Sequence, residues 1–458
     1  MARISFSRLS EDTNGSRLES MKQKTALEIL KLGYNVFLTG PAGSGKTYLL
    51  KQYIDYLKSR DIGVAVTAST GIAATHMNGQ TIHSWSGMGI SETFNEADFD
   101  KLKKRGYQQE RFKRTKVLII DEISMLHAHQ LDIVNSICKR FKEPFLAFGG
   151  LQVILCGDFF QLPPVTKFKE EARFVIESDA WREMDPKVCY LEEQHRQEDR
   201  EMLKILNDIR SQSCDEKTKE LLISRANIEI ENTLRPTRLF THNANVDAIN
   251  ALELGKIKAE AKLFRMTDNG NEYLVASVKK GCLAPENLTL KKGAIVMFVK
   301  NNFDRGYVNG TLGEVISFDR KGIPIVKTVS GKTIVATPEK WSIEENDESL
   351  ASISQIPLRL AWAITVHKSQ GMTLDAVEMD LSKSFEYGMG YVALSRVRTL
   401  SGIKLLGINS RALQVNPKVF ALDKLLAESS RDNVRNLTQL GQLKKKPEPG
   451  KPAKRRGK

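Results

Sequence analysis

The chain has 458 residues, 41% apolar and 27% charged, which is too long for one typical core and ordinary for a globular protein of two to four domains. No run of about 18 apolar residues occurs, so no membrane-spanning helix is expected. The net charge of +14 is shared unevenly: residues 444–458 carry eight Lys/Arg against one Glu, leaving a mildly basic body that admits nucleic acid as a partner without requiring it.

The opening MARISFSRLSEDTNG lacks the apolar centre of a secretion signal, which points to the cytoplasm or the nucleoid. Residues 21–34 read as a short helix ending at Gly33. The apolar run NVFLT, 35–39, reads as a buried strand. Residues 46–59 form a helix with Leu49, Leu50, Tyr53, Ile54 and Leu57 on one face. GVAVT at 63–67, KVLII at 116–120 and QVILC at 152–156 repeat the pattern of short apolar strands. Strands alternating with helices imply a parallel sheet covered on both faces, so residues 1–180 are expected to form one doubly wound α/β domain.

Between 84 and 115 the pattern breaks: residues 91–100 hold four acids and no base, and residues 101–116 hold eight bases and one acid. A surface insertion in the first domain is expected there. A second α/β unit is expected over 181–430, interrupted within 253–352 by a small β-barrel whose turns include Val308-Asn309-Gly310. From 431 the chain is polar and then rich in Lys, Pro and Gly, the composition of a disordered tail. The cysteines Cys138, Cys156, Cys189, Cys214 and Cys282 contain no C-x-x-C pair, so neither a disulfide framework nor a cysteine metal site is indicated. His127 and His129 have no further spaced ligands and are expected in a solvated loop.

The segment GPAGSGKT matches the phosphate-loop pattern and sits between a predicted strand and a predicted helix, the context the match requires. Gly40, Pro41, Ala42, Gly43, Ser44 and Gly45 would wrap backbone N–H groups around phosphate oxygens at a helix N-terminus. Lys46 would reach the β- and γ-phosphates of ATP, and the Thr47 hydroxyl would hold Mg²⁺. The string LIIDE supplies the carboxylates: Asp121 for the metal, through water, and Glu122 as the base for the attacking water. No second phosphate loop occurs, so one ATP is expected in a cleft between two α/β domains, completed by arginines of the second. Arg196 in LEEQHRQ and Arg396 in YVALSRVR stand in suggestive settings among many arginines.

Taken in order, these segments and their neighbours resemble superfamily-one DNA helicases of subclass B, and within it the Pif-one (petite integration frequency) family, over residues 21–406. Gln23 in MKQKTALEIL resembles the adenine-reading glutamine. TASTGIAA (67–74) and TIHSW (81–85) resemble DNA-contacting motifs. IIDEISM (119–125) and CGDFFQLPPV (156–165) resemble motifs II and III, with Gln161 as γ-phosphate sensor. EQHRQ, AWAITVHKSQGMTLD (361–375) and YVALSRVRTLSGIKLL (391–406) resemble motifs IV, V and VI, implying Arg196 and Arg396 as arginine fingers. EQHRQ departs from the more apolar form usual before that arginine, and 84–115 has no readable match. The resemblance implies two RecA-like domains, a wedge-bearing insertion in the first and a barrel similar to a Src-homology-three fold in the second. It further implies ATP-driven 5′-to-3′ movement on single-stranded DNA in genome maintenance (repair, recombination, telomere upkeep). The substrates it implies are duplex or forked DNA, with G-quadruplexes and DNA–RNA hybrids as further ones. A monomer is expected, with dimerisation on DNA left open.

A motor that holds a strand without reading it contacts phosphates and base faces. Ser69, Thr70, Thr81, His83 and Ser84 from the first domain, and His367, Lys368 and Ser369 from the second, offer donors for this. Trp85, Phe159, Phe160 and Trp362 are candidate stacking surfaces or core residues. Gly371 would let the backbone approach phosphate at the closed interface. Two other readings stay open on sequence alone: a phosphate-loop switch ATPase without unwinding activity, and a DNA-binding protein with a degenerate ATP site. The presence of Lys46, Thr47, Asp121 and Glu122 argues against the latter.

Overall fold

The phosphate-loop region folds as its periodicity requires. In the computed structural model, which describes residues 21–89, 94–164, 173–194, 199–226, 228–230, 236–240, 246–302, 304–345 and 348–443, helix α1 (Gln23–Lys31) precedes strand β1 (Val36–Thr39), and helix α2 (Lys46–Lys58) follows it. Strands β2 (Val64–Ala68), β3 (Gln80–Thr81), β4 (Val117–Asp121), β5 (Gln152–Cys156) and β6 (Lys187–Tyr190) complete a parallel sheet of order β3-β2-β4-β5-β1-β6. Successive strand residues point to opposite faces. Val36, Leu38, Ile119 and Ile154 join Leu49, Leu50 and Tyr53 of α2 in one core, while Phe37, Leu118, Ile120 and Leu155 join the other. Burial on both faces is why these strands are apolar throughout rather than alternating.

The sheet reaches β6, past the expected boundary at 180. Its edge is then covered from far along the chain. The long helix Pro417–Gln439 packs on β6, where Ser430 Oγ accepts the Tyr190 N–H (2.9 Å) and Asn433 Nδ2 donates to the Val188 carbonyl (3.2 Å). Covering an edge in this way satisfies backbone groups that would otherwise template aggregation. Residues 431–439 are therefore helical, and the disordered tail expected from 431 is corrected to this extent; residues 444–458 lie outside the described residues.

The second domain is built on a four-stranded parallel sheet of β7 (Thr237–Phe240) with Ala363–Thr365, Val377–Leu381 and Ile403–Ile408. Between β7 and Ala363–Thr365 lies the expected β-rich insertion. It holds a five-stranded antiparallel sheet that includes Ile295–Phe298 and Leu358–Leu360, a three-stranded sheet, an antiparallel pair of Ala261–Arg265 with Asn287–Lys291, and the helix Glu272–Gly281. Its last strand lies beyond the expected limit at 352.

The 84–115 segment contains the end of helix Ile82–Ser86 and two further helices, Glu96–Lys103 and Gly106–Arg114. Phe99, Leu102 and Phe112 sink into the first-domain core, and the described charges of the two helices lie on outer faces except Arg111, which is 6% exposed and donates to the Trp85 carbonyl (3.1 Å). No helix among the described residues is long and apolar enough to cross a membrane.

Candidate active site

The loop between β1 and α2 is wrapped tightly. A side chain at Gly40 would come within 2.3 Å of the Leu191 carbonyl, and Gly45, at φ 84°, starts α2 from the left-handed region where glycine is unstrained. Lys46 Nζ donates to the carbonyls of Gly40 (2.8 Å) and Pro41 (3.0 Å), which places its ammonium inside the loop. Gln23 Nε2 donates to the Ser44 carbonyl (3.2 Å), holding α1 to the loop. Thr47 is exposed at the first turn of α2.

Asp121 ends β4 and is 8% exposed; its Oδ1 accepts the Glu122 N–H at 2.9 Å. Glu122 has φ 51°, a left-handed conformation uncommon for a residue with a side chain and a frequent mark of functional strain. Burial and the neighbouring Asp121 carboxylate push Glu122 up to about 7, against the pull of Arg396 and Lys46. Burial also raises Asp121 and lowers Lys46. Gln161 is buried beside them, with its Oε1 lacking any hydrogen-bond partner among the described residues.

These groups form one wall of a cleft of about 690 Å³, whose other wall comes from the second domain. Gly371, Thr373, Arg396 and Arg398 line that wall, with Asn301 and Asn309 from the inserted β unit. Arg396 is 2% exposed. Its Nε donates to the Val392 carbonyl and its Nη2 to Ser395 Oγ, and burial lowers its pKa while Glu122 favours its charge. Arg196 lies outside the described residues, so its place in the cleft is open. The donor set fits a magnesium nucleotide: glycine backbone, an ammonium, a hydroxyl and a carboxylate around one cleft, with no cluster of three metal-ligating His, Cys, Asp or Glu side chains among the described residues.

The DNA candidates divide. Ser69, Thr70, Thr81, His83 and Ser84 are half-buried around the ends of β2 and β3. Thr70 and Thr81 cap helices, accepting the N–H of Ala73 and Ser84. His367 is exposed and Lys368 half-buried, but Ser369 is fully buried with its hydroxyl on the Val366 carbonyl (2.7 Å). Trp85 is 1% exposed, its ring 4.9 Å from that of Phe112; Phe159 packs on Phe37 at 5.3 Å. Phe160 and Trp362 are buried too. The readings of Trp85, Phe159 and Ser369 as strand contacts are therefore corrected to buried positions, because packing covers the two rings and the Val366 carbonyl takes the serine hydroxyl. His127 and His129 touch through their Nδ1 atoms at 2.7 Å rather than standing in solvent.

One cluster escaped the sequence reading. Arg210, at the end of helix Arg200–Arg210, donates through Nη1 to both oxygens of Asp158 (2.9 and 3.0 Å) and through Nη2 to Asp423 (2.8 Å) and Tyr190 Oη (3.0 Å). Tyr391 Oη accepts the N–H of Ala42 in the phosphate loop at 3.1 Å and meets Arg210 Nη1 at 3.3 Å. Asp158 and Tyr391 stood within quoted motifs, GDFFQ and YVALSR. Nothing local marks Arg210, which ends an ordinary amphipathic helix.

A phosphate loop, a strand-end Asp-Glu pair and an opposed buried arginine from a second α/β domain define a two-domain phosphate-loop nucleotide hydrolase with RecA-like domains. The chain belongs to the PIF1-like helicase family, whose members are ATP-dependent DNA helicases. The PIF1-like helicase family model matches residues 19–219, and that of the DNA helicase Pif1 2B domain matches residues 273–318. An ATP-dependent DNA helicase Pif1 of Psychrobacter sp. (strain PRwf-1) is 45% identical over 90% of this chain and 71% of its own length. The ATP-dependent DNA helicase PIF1 of Xenopus laevis is 37% identical over 87% of this chain, which spans 63% of that relative. Among solved structures, Bacteroides sp Pif1 in complex with ADP-AlF4 is 30% identical with a TM-score of 0.77, covering 92% of this chain and 99% of that one. Bacteroides Pif1 bound to ssDNA is 31% identical with a TM-score of 0.59, covering 92% and 97%. A structure described as showing DNA unwinding at forked dsDNA by two coordinating Pif1 helicases has a TM-score of 0.58 at 31% identity, covering 92% and 97%.

Proposed function

We propose that this chain hydrolyses ATP–Mg²⁺ in the interdomain cleft and uses the domain motion to travel 5′ to 3′ along single-stranded DNA, separating duplex or forked DNA. The observation that carries the reading is that Lys46, Asp121 and Glu122 face Arg396 of the second domain across one cleft. Lys46 would leave the loop carbonyls for the β- and γ-phosphates. Thr47 and Asp121 would hold the magnesium ion, which supplies charge neutralisation at the β,γ oxygens. Glu122 would take the proton of the attacking water, Gln161 would donate its side-chain NH₂ to the γ-phosphate, and Arg396 would stabilise the charge that develops. Arg196 is assigned the second arginine role by resemblance.

The DNA half of the reading is supported by a short hydrogen-bonded path. Ser69, at the end of β2, donates through Oγ to the Glu122 carbonyl (2.6 Å) and through its N–H to the Asp121 carbonyl (3.1 Å). A strand held at Ser69, Thr70, Thr81, His83 and Ser84, and by His367 and Lys368 opposite, would thus bear on the backbone of the catalytic pair. Single strands held by the related Bacteroides protein support the same partner. G-quadruplexes and DNA–RNA hybrids are proposed as further substrates, genome maintenance as the setting, the cytoplasm or nucleoid as the location, and a monomer that pairs on forked DNA as the working unit.

Unwinding of partial duplexes bearing either a 5′ or a 3′ single-stranded overhang tests the reading. Strand separation confined to the 5′ overhang, with ATP and Mg²⁺ both required, is expected; activity only on the 3′ overhang would reverse the polarity.

A further inference from the structure

Helix α3 (Gly71–His76) starts directly after Ser69 and Thr70 and ends on a histidine whose ring is gripped from the other side of the cleft. Asn309 Nδ2 meets His76 Nε2 at 3.0 Å. An amide NH₂ only donates, so Nε2 accepts and the imidazole is neutral, in keeping with the burial that lowers its pKa to about 4. On the same ring, a side chain at Gly371 (φ 73°) would lie 3.0 Å from Cε1 and Nδ1, so Gly371 packs its bare Cα side against His76.

Asn309 is itself built in. It is 3% exposed, its N–H donates to Asn301 Oδ1 (2.8 Å), and its carbonyl accepts the Thr373 N–H (3.3 Å). Its side-chain oxygen has no partner among the described residues although it is buried at the cleft, an arrangement costly enough to call for a reason. His76 therefore connects, through one helix about 9 Å long, the proposed strand-holding turn of the first domain to Asn309, Gly371 and Thr373, which all line the ATP cleft.

We infer that His76 and Asn309 form an interdomain clasp that sets the closed geometry of the ATP cleft according to the grip of the first domain on a DNA strand. This rests on the DNA-dependent reading above. In this role both are positioning residues: neither needs to touch the reacting phosphate. The strand acts on Thr70 and Ser69, α3 moves as a unit, and the clasp carries that displacement to Gly371 and Thr373 on the second domain's wall. The gripped imidazole offers no proton in this scheme. Its shape and its one accepting nitrogen do the positioning.

The test compares wild type, His76→Ala, Asn309→Ala, the double variant and His76→Gln, measuring ATPase kcat and KM with and without saturating oligo-dT, oligonucleotide Kd by anisotropy, and Tm. The expected result is that either single alanine variant lowers the DNA stimulation of kcat by about tenfold, the size of one lost hydrogen bond between desolvated groups, while KM for ATP moves less than about threefold. The double variant should be no worse than the singles, since one interaction is removed only once. His76→Gln, whose amide oxygen accepts the same bond, should restore most of the stimulation. Intact stimulation in His76→Ala overturns the clasp, as do additive losses in the double variant or a fall in Tm with stimulation preserved. A wild type whose ATPase ignores oligo-dT would instead overturn the DNA-dependent reading, and the clasp with it.

Discussion

One nitrogen of Arg210 is shared between both carboxylate oxygens of Asp158, at 2.9 and 3.0 Å, with the arginine 8% and the aspartate 1% exposed. The guanidinium lies 4.1 Å from the Phe160 ring and reaches Asp423 with its other nitrogen. Breaking a buried pair by removing one member leaves an uncompensated charge, which typically costs about 3–5 kcal/mol. Arg210→Ala should therefore lower the unfolding free energy by that order, read in urea as a lower midpoint with an unchanged slope. A loss below about 1 kcal/mol would mean the cluster relaxes and hydrates freely.

Glu122 titrates in the neutral range because burial and Asp121 both favour its proton. A base must be ionised to act, so kcat/KM for ATP should rise with pH up to about 7 and level off above it, as expected for one titrating group of the free enzyme. The stability consequence has the opposite sign. A carboxyl whose folded pKa is raised stabilises the fold at low pH, and that contribution is lost as pH climbs through the raised value. Glu122→Gln should abolish turnover and remove this limb of the stability profile. A kcat/KM that is flat with pH between about 6 and 8 would exclude Glu122 as the base.

Lys46 and Arg396 face one phosphate site from two domains, and their loss should read differently. Lys46→Ala should abolish turnover while leaving single-strand binding within about threefold, because the strand candidates lie on other loops. For Arg396→Ala, fluorescent-nucleotide binding should survive while kcat falls by about 10³-fold or more, the range of arginine fingers. Near-normal turnover would exclude the finger role.

Trp85 separates two readings of one residue. A core indole against Phe112 predicts that Trp85→Ala costs about 3–5 kcal/mol of stability with little direct change in oligonucleotide affinity of the folded fraction. A base-stacking platform predicts the reverse, an affinity loss of about 1–3 kcal/mol with stability kept. Melting curves and anisotropy on the same preparation decide.

Removing residues 444–458 deletes eight of the 69 Lys/Arg residues. Single-strand binding should weaken and its dependence on salt should flatten, because fewer counterions are released. Unwinding at low salt should persist; its disappearance would give the tail a role beyond charge.

The first domain was legible because its physics is local. An apolar strand, a glycine loop and an amphipathic helix are written within 24 residues, 36–59, and the structure reproduces them to within about a residue. Asp121 and Glu122 were read from an apolar strand ending in two carboxylates and Arg396 only from the resemblance; the structure lines one cleft with all three. Trp85 and Phe159 stayed between stacking surface and core since a sequence does not say which aromatic faces a neighbouring ring; in the structure both are buried against one. Arg210 and the 431–439 helix were missed for one shared reason. Their partners, Asp158 and Asp423 for the arginine and Tyr190 for Ser430, lie 52 to 240 residues away, and no short-range periodicity encodes a contact of that separation.

The helix on the β6 edge has a mechanical consequence. Leu437 and Leu443 sit in the same core as Met21 and α1, and Tyr34 Oη donates to Gln442 (2.8 Å), so the polypeptide returns near its end to the domain it started in. The second domain is thus strung between two chain crossings, one leaving β6 and one entering Pro417–Gln439. In the cycle proposed above, these two crossings and the contacts between the domains, Asn309 with His76 and Tyr391 with Ala42, would together bound the movement of the cleft.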